Sequence, residues 1–220
     1  MKAAVIIAAG GSGKRMGKKK QFLPLAGKAV VEWAVLAFRS VKEIKEIILV
    51  VNPEDIEQAK RLNVKVTASG AERQDSVSNG LKLVSPDCDI VLIHDGARPL
   101  ITADLIKKAI KEAERYGACV VGVPVKDTIK RVGDDLFIKC TVDRSVLWQA
   151  QTPQAFKYEI ITRALAKRKK KATDDSKLVE DLGIKVKMLL GSYENIKITT
   201  PEDLLIAETI LRSRNVSSQS

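Results

Sequence analysis

The sequence predicts a three-layer α/β architecture, in which a mainly parallel sheet is covered by helices on both faces. Three observations point there. Short Val/Ile-rich runs alternate with helix-length amphipathic segments through the first half of the chain. The runs are apolar throughout instead of alternating with polar residues, as in strands buried on both faces. A length of 220 residues with 45% hydrophobic content suits one large domain with a core of its own.

Residues 3–9 read as the first strand and 29–40 as the helix after it. A strand at 46–51 is followed by a helix at 53–61, one at 64–67 by 72–84, and one at 90–93 by 103–116, before a further strand at 118–123. The rhythm stops after Pro124. Residues 128–132 and 136–142 flank the turn signal Gly133-Asp134-Asp135 and read as a β-hairpin. A hairpin has too little core to stand alone in water, so the arm at about 125–151 is expected to pack on a partner; the alternative is that it folds back on its own domain. The chain then returns to α/β, with a helix at 159–166 and strand-like runs at 183–191 and 195–199. The last helix is opened by Thr200-Pro201-Glu202-Asp203, which offers an N-cap, Pro at the first helical position and acids in the first turn. Residues 215–220 are expected to fray. No repeat or long linker divides the chain, so residues 1–220 are expected to form one domain plus the arm.

Composition excludes several function classes. Met1-Lys2 precedes only seven apolar residues, and the cations come after that run, an order that fits neither a membrane span nor a signal peptide and predicts a cytoplasmic protein. Cys88, Cys119 and Cys140 are odd in number and far apart, which supports neither a disulfide framework nor a C-x-x-C metal site. A net charge of +11 suggests nucleic acid, but four Phe, two Trp and three Tyr are not interleaved with the basic clusters, so no stacking platform is visible. The densest basic run, Lys167 to Lys171, follows a helical stretch, where cations suit the negative end of the helix dipole. No nucleic-acid or membrane partner is expected.

The most informative segment is Gly10-Gly11-Ser12-Gly13-Lys14-Arg15-Met16-Gly17-Lys18-Lys19-Lys20, directly after the first strand. Bare backbone N–H groups beside concentrated positive charge make a polyphosphate site, and a nucleotide is the expected ligand. The P-loop pattern fails twice, with Ala8 in place of its first Gly and Arg15 in place of its hydroxyl residue. The dinucleotide fingerprint fails at Met16, and the second strand ends at Asn52 where an acid should hold the ribose. A merely solvated basic loop is the remaining alternative.

In an open α/β sheet, ligands sit beyond the carboxyl ends of the strands. That places His94-Asp95-Gly96-Ala97-Arg98-Pro99 near the glycine-rich loop. Asp95 and Arg98 can hold a metal or polar ligand and a phosphate, or can pair with each other and fix the loop. His94 is the only histidine in the chain and nothing marks an adjacent nucleophile, so no Ser-His-acid or Cys-His unit is in view and a structural role for it is expected.

Six separated segments carry a family likeness: the loop 13–22, Gly70 to Val77, His94 to Pro99, Asp127 to Arg131, Thr141 to Gln154, and Asn195 to Thr199. In this order they resemble the 2-C-methyl-D-erythritol 4-phosphate cytidylyltransferases of the non-mevalonate isoprenoid pathway, from residue 3 to about residue 212. The resemblance implies a Rossmann-like nucleotidyltransferase sheet whose hairpin is a dimerisation arm. It implies that CTP and methylerythritol phosphate form the CDP-alcohol and pyrophosphate, with Mg²⁺ on the triphosphate. A phosphate monoester is largely dianionic at neutral pH, so the attacking oxygen needs no general base, and cations should carry the catalysis.

Carried over by position, Arg15, Lys20 and Lys197 correspond to the catalytic cations. Ala8, Ala9, Gly10, Gly11, Gly13, Gly70, Ser76 and Gly96 correspond to nucleotide contacts. Asp95, Arg98, Thr128, Arg144, Thr152 and Thr173 correspond to acceptor contacts, with Asp95 also the candidate magnesium ligand and Thr128 and Arg144 acting across a homodimer interface. The chain departs from the family pattern at Thr173-Asp174-Asp175-Ser176, usually Thr-Asp-Glu-Ala, at Ala71, often an acid, and in a glycine-rich loop one residue longer. The rival within the same chemistry is ribitol 5-phosphate cytidylyltransferase, whose usual Pro-Asn-Arg and Leu-Tyr are Val142-Asp143-Arg144 and Leu147-Trp148 here. From another class, the rival is a non-catalytic nucleotide- or RNA-binding module.

Overall fold

The computed structural model describes residues 1–11, 20–168 and 172–217, with side chains to Arg214. Strand β1 (Ala3–Ala8) leads, past the short hairpin β2 (Pro24–Leu25) and β3 (Lys28–Ala29), into helix α1 (Val30–Arg39). Strand β4 (Ile44–Val51) precedes α2 (Ile56–Lys60), β5 (Lys65–Ala68) precedes α3 (Arg73–Leu81), and β6 (Ile90–Asp95) precedes α4 (Ala103–Tyr116). After β7 (Ala118–Pro124) the chain runs out into β8 (Ile129–Val132) and β9 (Ile138–Val142). It returns along β10 (Trp148–Lys157) to α5 (Tyr158–Ala166), α6 (Asp175–Glu180), β11 (Lys187–Leu190) and α7 (Pro201–Ser217).

The main sheet has the order β11-β7-β10-β6-β1-β4-β5. All its pairings are parallel except those of β10, which runs antiparallel to both β6 and β7. Strand period two divides the core: Ala3, Val5 and Ile7 pack beneath α1 and α4, while Ala4 and Ile6 pack beneath α3, α5 and α6. Helix α4 shows how local sequence builds an element. Thr102 caps its first turn by accepting the Leu105 N–H, and Leu105, Ile106, Ala109, Ile110 and Ala113 form its buried stripe. Gly117, at φ +86°, ends it in a conformation other residues avoid. A third cluster, Leu25, Val30, Leu100, Ile198, Ala207 and Leu211, seats α7 against the β2–β3 hairpin.

The three-layer expectation holds, with five differences. The arm expected at about 125–151 ends earlier, because its last residues from Trp148 already belong to β10, which is polar and contains Pro153 yet lies between β7 and β6 in the sheet. Its pairing with β7 shifts between Ala150 and Gln154, and its polar side chains are satisfied internally. Gln154 donates to Asp174 and accepts from the Ser176 amide, and Gln151 donates to the Ser192 carbonyl. The run 195–199 is not a strand; it is pinned to the loop after β6, with the Ile198 amide donating to the Ala97 carbonyl at 2.8 Å. The run 183–191 contributes only β11, and the helix at 53–61 divides into a 3-10 turn over Pro53–Asp55 and α2. The last helix continues to Ser217, past the expected fraying point, and residues 218–220 lie outside the described residues.

Candidate active site

The carboxyl ends of the parallel strands form the floor of the site. In register, Ala8 of β1 lies beside Asp95 of β6, and the Gly96 amide donates to the Ala8 carbonyl at 2.9 Å. The first crossover runs from β1 to β4 and on to β5 on one side, and the chain then returns from β5 to β6 on the other side of β1, a reversal that opens a crevice. A cavity of about 410 Å³ fills it, lined by Ala8, Ala9, Gly10 and Gly11 from the end of β1 and by Lys20. Across from them lie Gly70 and Ser76 at the start of α3, with Asp95 and Lys197 below. Gly13 and Arg15 lie outside the described residues. Gly96 does not line this cavity but closes the contact with β1 beneath it.

Two glycines are required by close approach. A Cβ on Gly10 would stand 2.4 Å from Ser69 Cβ, and one on Gly70 would stand 2.2 Å from Asp75 Cβ. Bare backbone therefore faces the cavity at both positions. At Gly70 its amide donates to Ser76 Oγ at 3.0 Å, while Ser76 donates to the Glu72 carbonyl and Glu72 and Asp75 form a reciprocal capping box. These bonds fix the entry to α3 and hold Gly70 and Ser76 at the cavity wall.

Asp95 is the electrostatic centre. Lys197 Nζ lies 2.9 Å from its carboxylate, Arg98 Nε 3.4 Å and Arg73 3.6 Å. Burial would push this carboxyl up, but Lys197, Arg73 and Arg98 outweigh it and hold the group well below the usual carboxylate range. Asp95 therefore keeps three cations of different chain segments together before any ligand arrives. The Asp95–Arg98 pair, the alternative to ligand binding at these residues, forms as part of this larger cluster.

A second cavity of about 340 Å³ adjoins the first and shares Arg73, Asp95 and Lys197 with it. Arg98, Thr152 and Thr173 line it together with Gln151 and Asp174. Arg98 is steadied by donating to the Asn195 carbonyl at 2.7 Å, and Asn195 Nδ2 donates to the Thr152 carbonyl at 2.9 Å. These bonds carry the Asn195–Lys197 segment from near the end of the chain to the mouth of β6.

His94 lies beneath this arrangement, fully buried and edge-on to Phe38. Its Nε2–H donates to the Arg98 carbonyl at 3.1 Å, since a carbonyl only accepts. Nδ1 then accepts from Thr152 Oγ1 at 3.1 Å, and that same oxygen accepts the Asp95 amide at 3.0 Å. Burial pushes the imidazole down to about 4, so it is neutral at physiological pH and serves the structural role expected of it.

Thr128 and Arg144 behave differently. Both are exposed on the arm, neither lines the cavities of this chain, and the Arg144 guanidinium donates to the Lys126 carbonyl. The arm also exposes Leu136, Phe137, Ile138 and Val146 to between 62% and 81%. It does not fold back on the domain. Nothing in the sequence pointed to the roles of Arg73, which lines both cavities, of Gln151, which lines the second, or of Asn195, whose run was expected to be a strand and which instead ties Arg98 to Thr152.

Among the described residues no group of three acids, histidines or cysteines could cage a metal. The carboxylates that border the cavities are engaged, Asp95 with three cations, Asp174 in capping α6 and Glu72 in capping α3. What remains is cationic, preorganised and split between two adjoining compartments at the strand ends, the equipment of a nucleotidyltransferase. The sequence profile of the family described as "IspD: 2-C-methyl-D-erythritol 4-phosphate cytidylyltransferase" matches residues 3–213. The chain belongs to that family. It is 50% identical to the 2-C-methyl-D-erythritol 4-phosphate cytidylyltransferase of Caldanaerobacter subterraneus subsp. tengcongensis, over 96% of this chain and 98% of the relative. With that of Alkaliphilus oremlandii it shares 48% identity, over 97% and 96% of the two chains. The crystal structure of 4-diphosphocytidyl-2C-methyl-D-erythritol synthase from Anaerococcus prevotii superimposes with a TM-score of 0.85 at 35% identity, covering 96% of each chain.

Proposed function

We infer that this protein transfers the cytidylyl group of CTP to 2-C-methyl-D-erythritol 4-phosphate, forming 4-diphosphocytidyl-2-C-methyl-D-erythritol and pyrophosphate in isoprenoid precursor synthesis. The observation that carries this reading is the pair of cavities joined at Asp95, Arg73 and Lys197 in a chain of this family. A bond forms from an acceptor phosphate oxygen to the α-phosphorus as the bond from that phosphorus to the pyrophosphate oxygen breaks. No proton must be removed from the dianionic acceptor, so the reaction calls for cations and not for a general base. Ala8, Ala9, Gly10, Gly11, Gly70 and Ser76 receive the nucleotide, Arg98, Thr152 and Thr173 the acceptor, and Lys20 with Lys197 stabilises the charge that builds between them. Arg15 joins them in this reading from outside the described residues.

Magnesium fits here as a companion of the triphosphate. The single acid at the centre, Asp95, is engaged with three cations, so the phosphates would supply most of the ligands, as this ion commonly prefers. Bound there, it would neutralise phosphate charge. The exposed apolar arm, together with Thr128 and Arg144 standing apart from their own chain's cavities, supports a homodimer in which each arm completes the neighbour's acceptor site. A cytoplasmic setting is part of the same reading; no described helix is long and apolar enough to cross a membrane.

The test is pyrophosphate release from CTP with methylerythritol phosphate or ribitol 5-phosphate supplied separately. Turnover with the first alone is expected, and turnover only with the second overturns the choice of substrate. Lys20→Ala should leave CTP binding within a few-fold while turnover falls by about 10²- to 10³-fold, the usual cost of removing one preorganised charge from a transition state. Salt-sensitive RNA binding without turnover would refute the enzyme altogether.

A further inference from the structure

Arg73 opens α3 and is the one residue of that helix whose side chain borders both cavities. Its guanidinium is anchored from behind. One nitrogen donates to Asp175 of α6, another lies 3.6 Å from Asp95, and about a third of the side chain, 32%, stays exposed toward the cavities. Asp175 itself is wholly buried. Its Oδ2 takes the Arg73 bond, whereas its Oδ1 has no hydrogen-bond partner. A buried carboxylate with an idle oxygen is a poor stabilising element, because its desolvation is only partly offset. Asp174, next in chain, is occupied otherwise, capping α6 and receiving Gln154 and Ser176.

The asymmetry of the pair is informative. The buried partner is fixed in the core of α6, and the exposed partner presents the remaining face of a planar, five-donor group to the place where the two cavities meet. In the proposed reaction that junction is where the acceptor phosphate must lie against the nucleotide phosphates. A guanidinium tethered by Asp175 and Asp95 is already oriented there, so little side-chain entropy is lost when it receives an anion.

We propose that Arg73 is a further phosphate-binding residue of the transfer reaction and that Asp175 is its positioning residue. Arg73 gives up no proton; it holds the acceptor phosphate while the oxygen–phosphorus bond forms and the bond to pyrophosphate breaks. Asp175 acts only through Arg73.

The role rests on the cytidylyl-transfer reading, so wild-type turnover with methylerythritol phosphate is measured first. Arg73→Lys, Arg73→Ala, Asp175→Asn and Arg73→Ala/Asp175→Asn are then compared by kcat and KM for each substrate, by calorimetric Kd for Mg·CTP, and by Tm. Arg73→Lys and Asp175→Asn should each lower kcat/KM for the acceptor by about 10- to 100-fold, the range for losing one charge-assisted hydrogen bond, with the CTP Kd unchanged within about threefold. The double variant should be no worse than Arg73→Ala alone. Wild-type kcat/KM in Arg73→Lys overturns the role of Arg73, and additive losses in the double variant overturn the role of Asp175. If Asp175→Asn fails to fold, Arg73→Lys decides alone, its side chain being partly exposed. A wild type that turns over neither polyol phosphate overturns the reaction, and this role with it.

Discussion

Lowering the pH below 6 should destabilise this protein through His94 specifically. In the unfolded chain an imidazole titrates near 6.5; in the fold, burial moves it to about 4. Between those values the unfolded state binds the extra proton and the native state does not. The stability contributed by neutral His94 is therefore complete above about 6.5 and lost as the pH falls toward 4. The gap is worth about 3 kcal/mol in full at 1.36 kcal/mol per pH unit, and about 2 kcal/mol of it is gone by pH 5. Protonation would also put a proton on Nδ1, where Thr152 donates, and so break the chain that ties Asp95, Thr152 and Arg98. Because the sequence has a single histidine, its imidazole NMR signals can be followed without assignment, and urea unfolding at pH 7 and pH 5 reports the stability. His94→Asn keeps an acceptor for Thr152 and does not titrate, so its stability should fall less between the two pH values, by about 2 kcal/mol, than the wild type's. A native-state imidazole titrating near 6.5, or the same pH dependence in both proteins, would refute the reasoning.

Gly70→Ala should lower Tm and weaken CTP binding at least tenfold, since its Cβ would sit 2.2 Å from Asp75 Cβ in the first turn of α3; calorimetry and thermal melts check both. Phe137→Asp on the arm, where the ring is 76% exposed, should convert a dimer to monomers in sedimentation without lowering the monomer's helix content; an unchanged mass would count against the arm as the contact. Arg144→Ala should raise the acceptor KM while CTP binding stays constant, and mixing it with a Lys20→Ala protein should restore part of the activity if the arm serves the neighbour's site. Equal loss of both substrates would argue against that role.

Much of this site was legible because its chemistry follows strand ends. Ala8 to Gly11 and Asp95 to Arg98 are contiguous with apolar strands that only one arrangement can bury, so their proximity follows from period and topology. The motif spacing around Gly70 and Ser76 likewise places them at the start of a helix. Arg73 was in plain sight there, but a surface arginine in the first turn of a helix carries no mark that it turns inward; the acid that draws it in lies 102 positions away in sequence. Strand β10 was hidden for a different reason. Its polar residues and proline contradict a central strand on propensity, and bonds to distant Asp174, Ser176, Ser192, Asn195, His94 and Asp95 satisfy them.

By itself the sequence determined the three-layer class and, through its spaced motifs, the family and with it the cytidylyl-transfer chemistry. These depend on local pattern and residue type. Tertiary structure alone decided that Lys197, Arg73 and Arg98 converge on Asp95, that the 195–199 segment is a pinned loop, and that Thr128 and Arg144 stand clear of their own cavities. The physical reason is that burial and charge pairing between distant segments have no signature in local sequence; they arise when the sheet brings its strand ends together and excludes water from the acid between them.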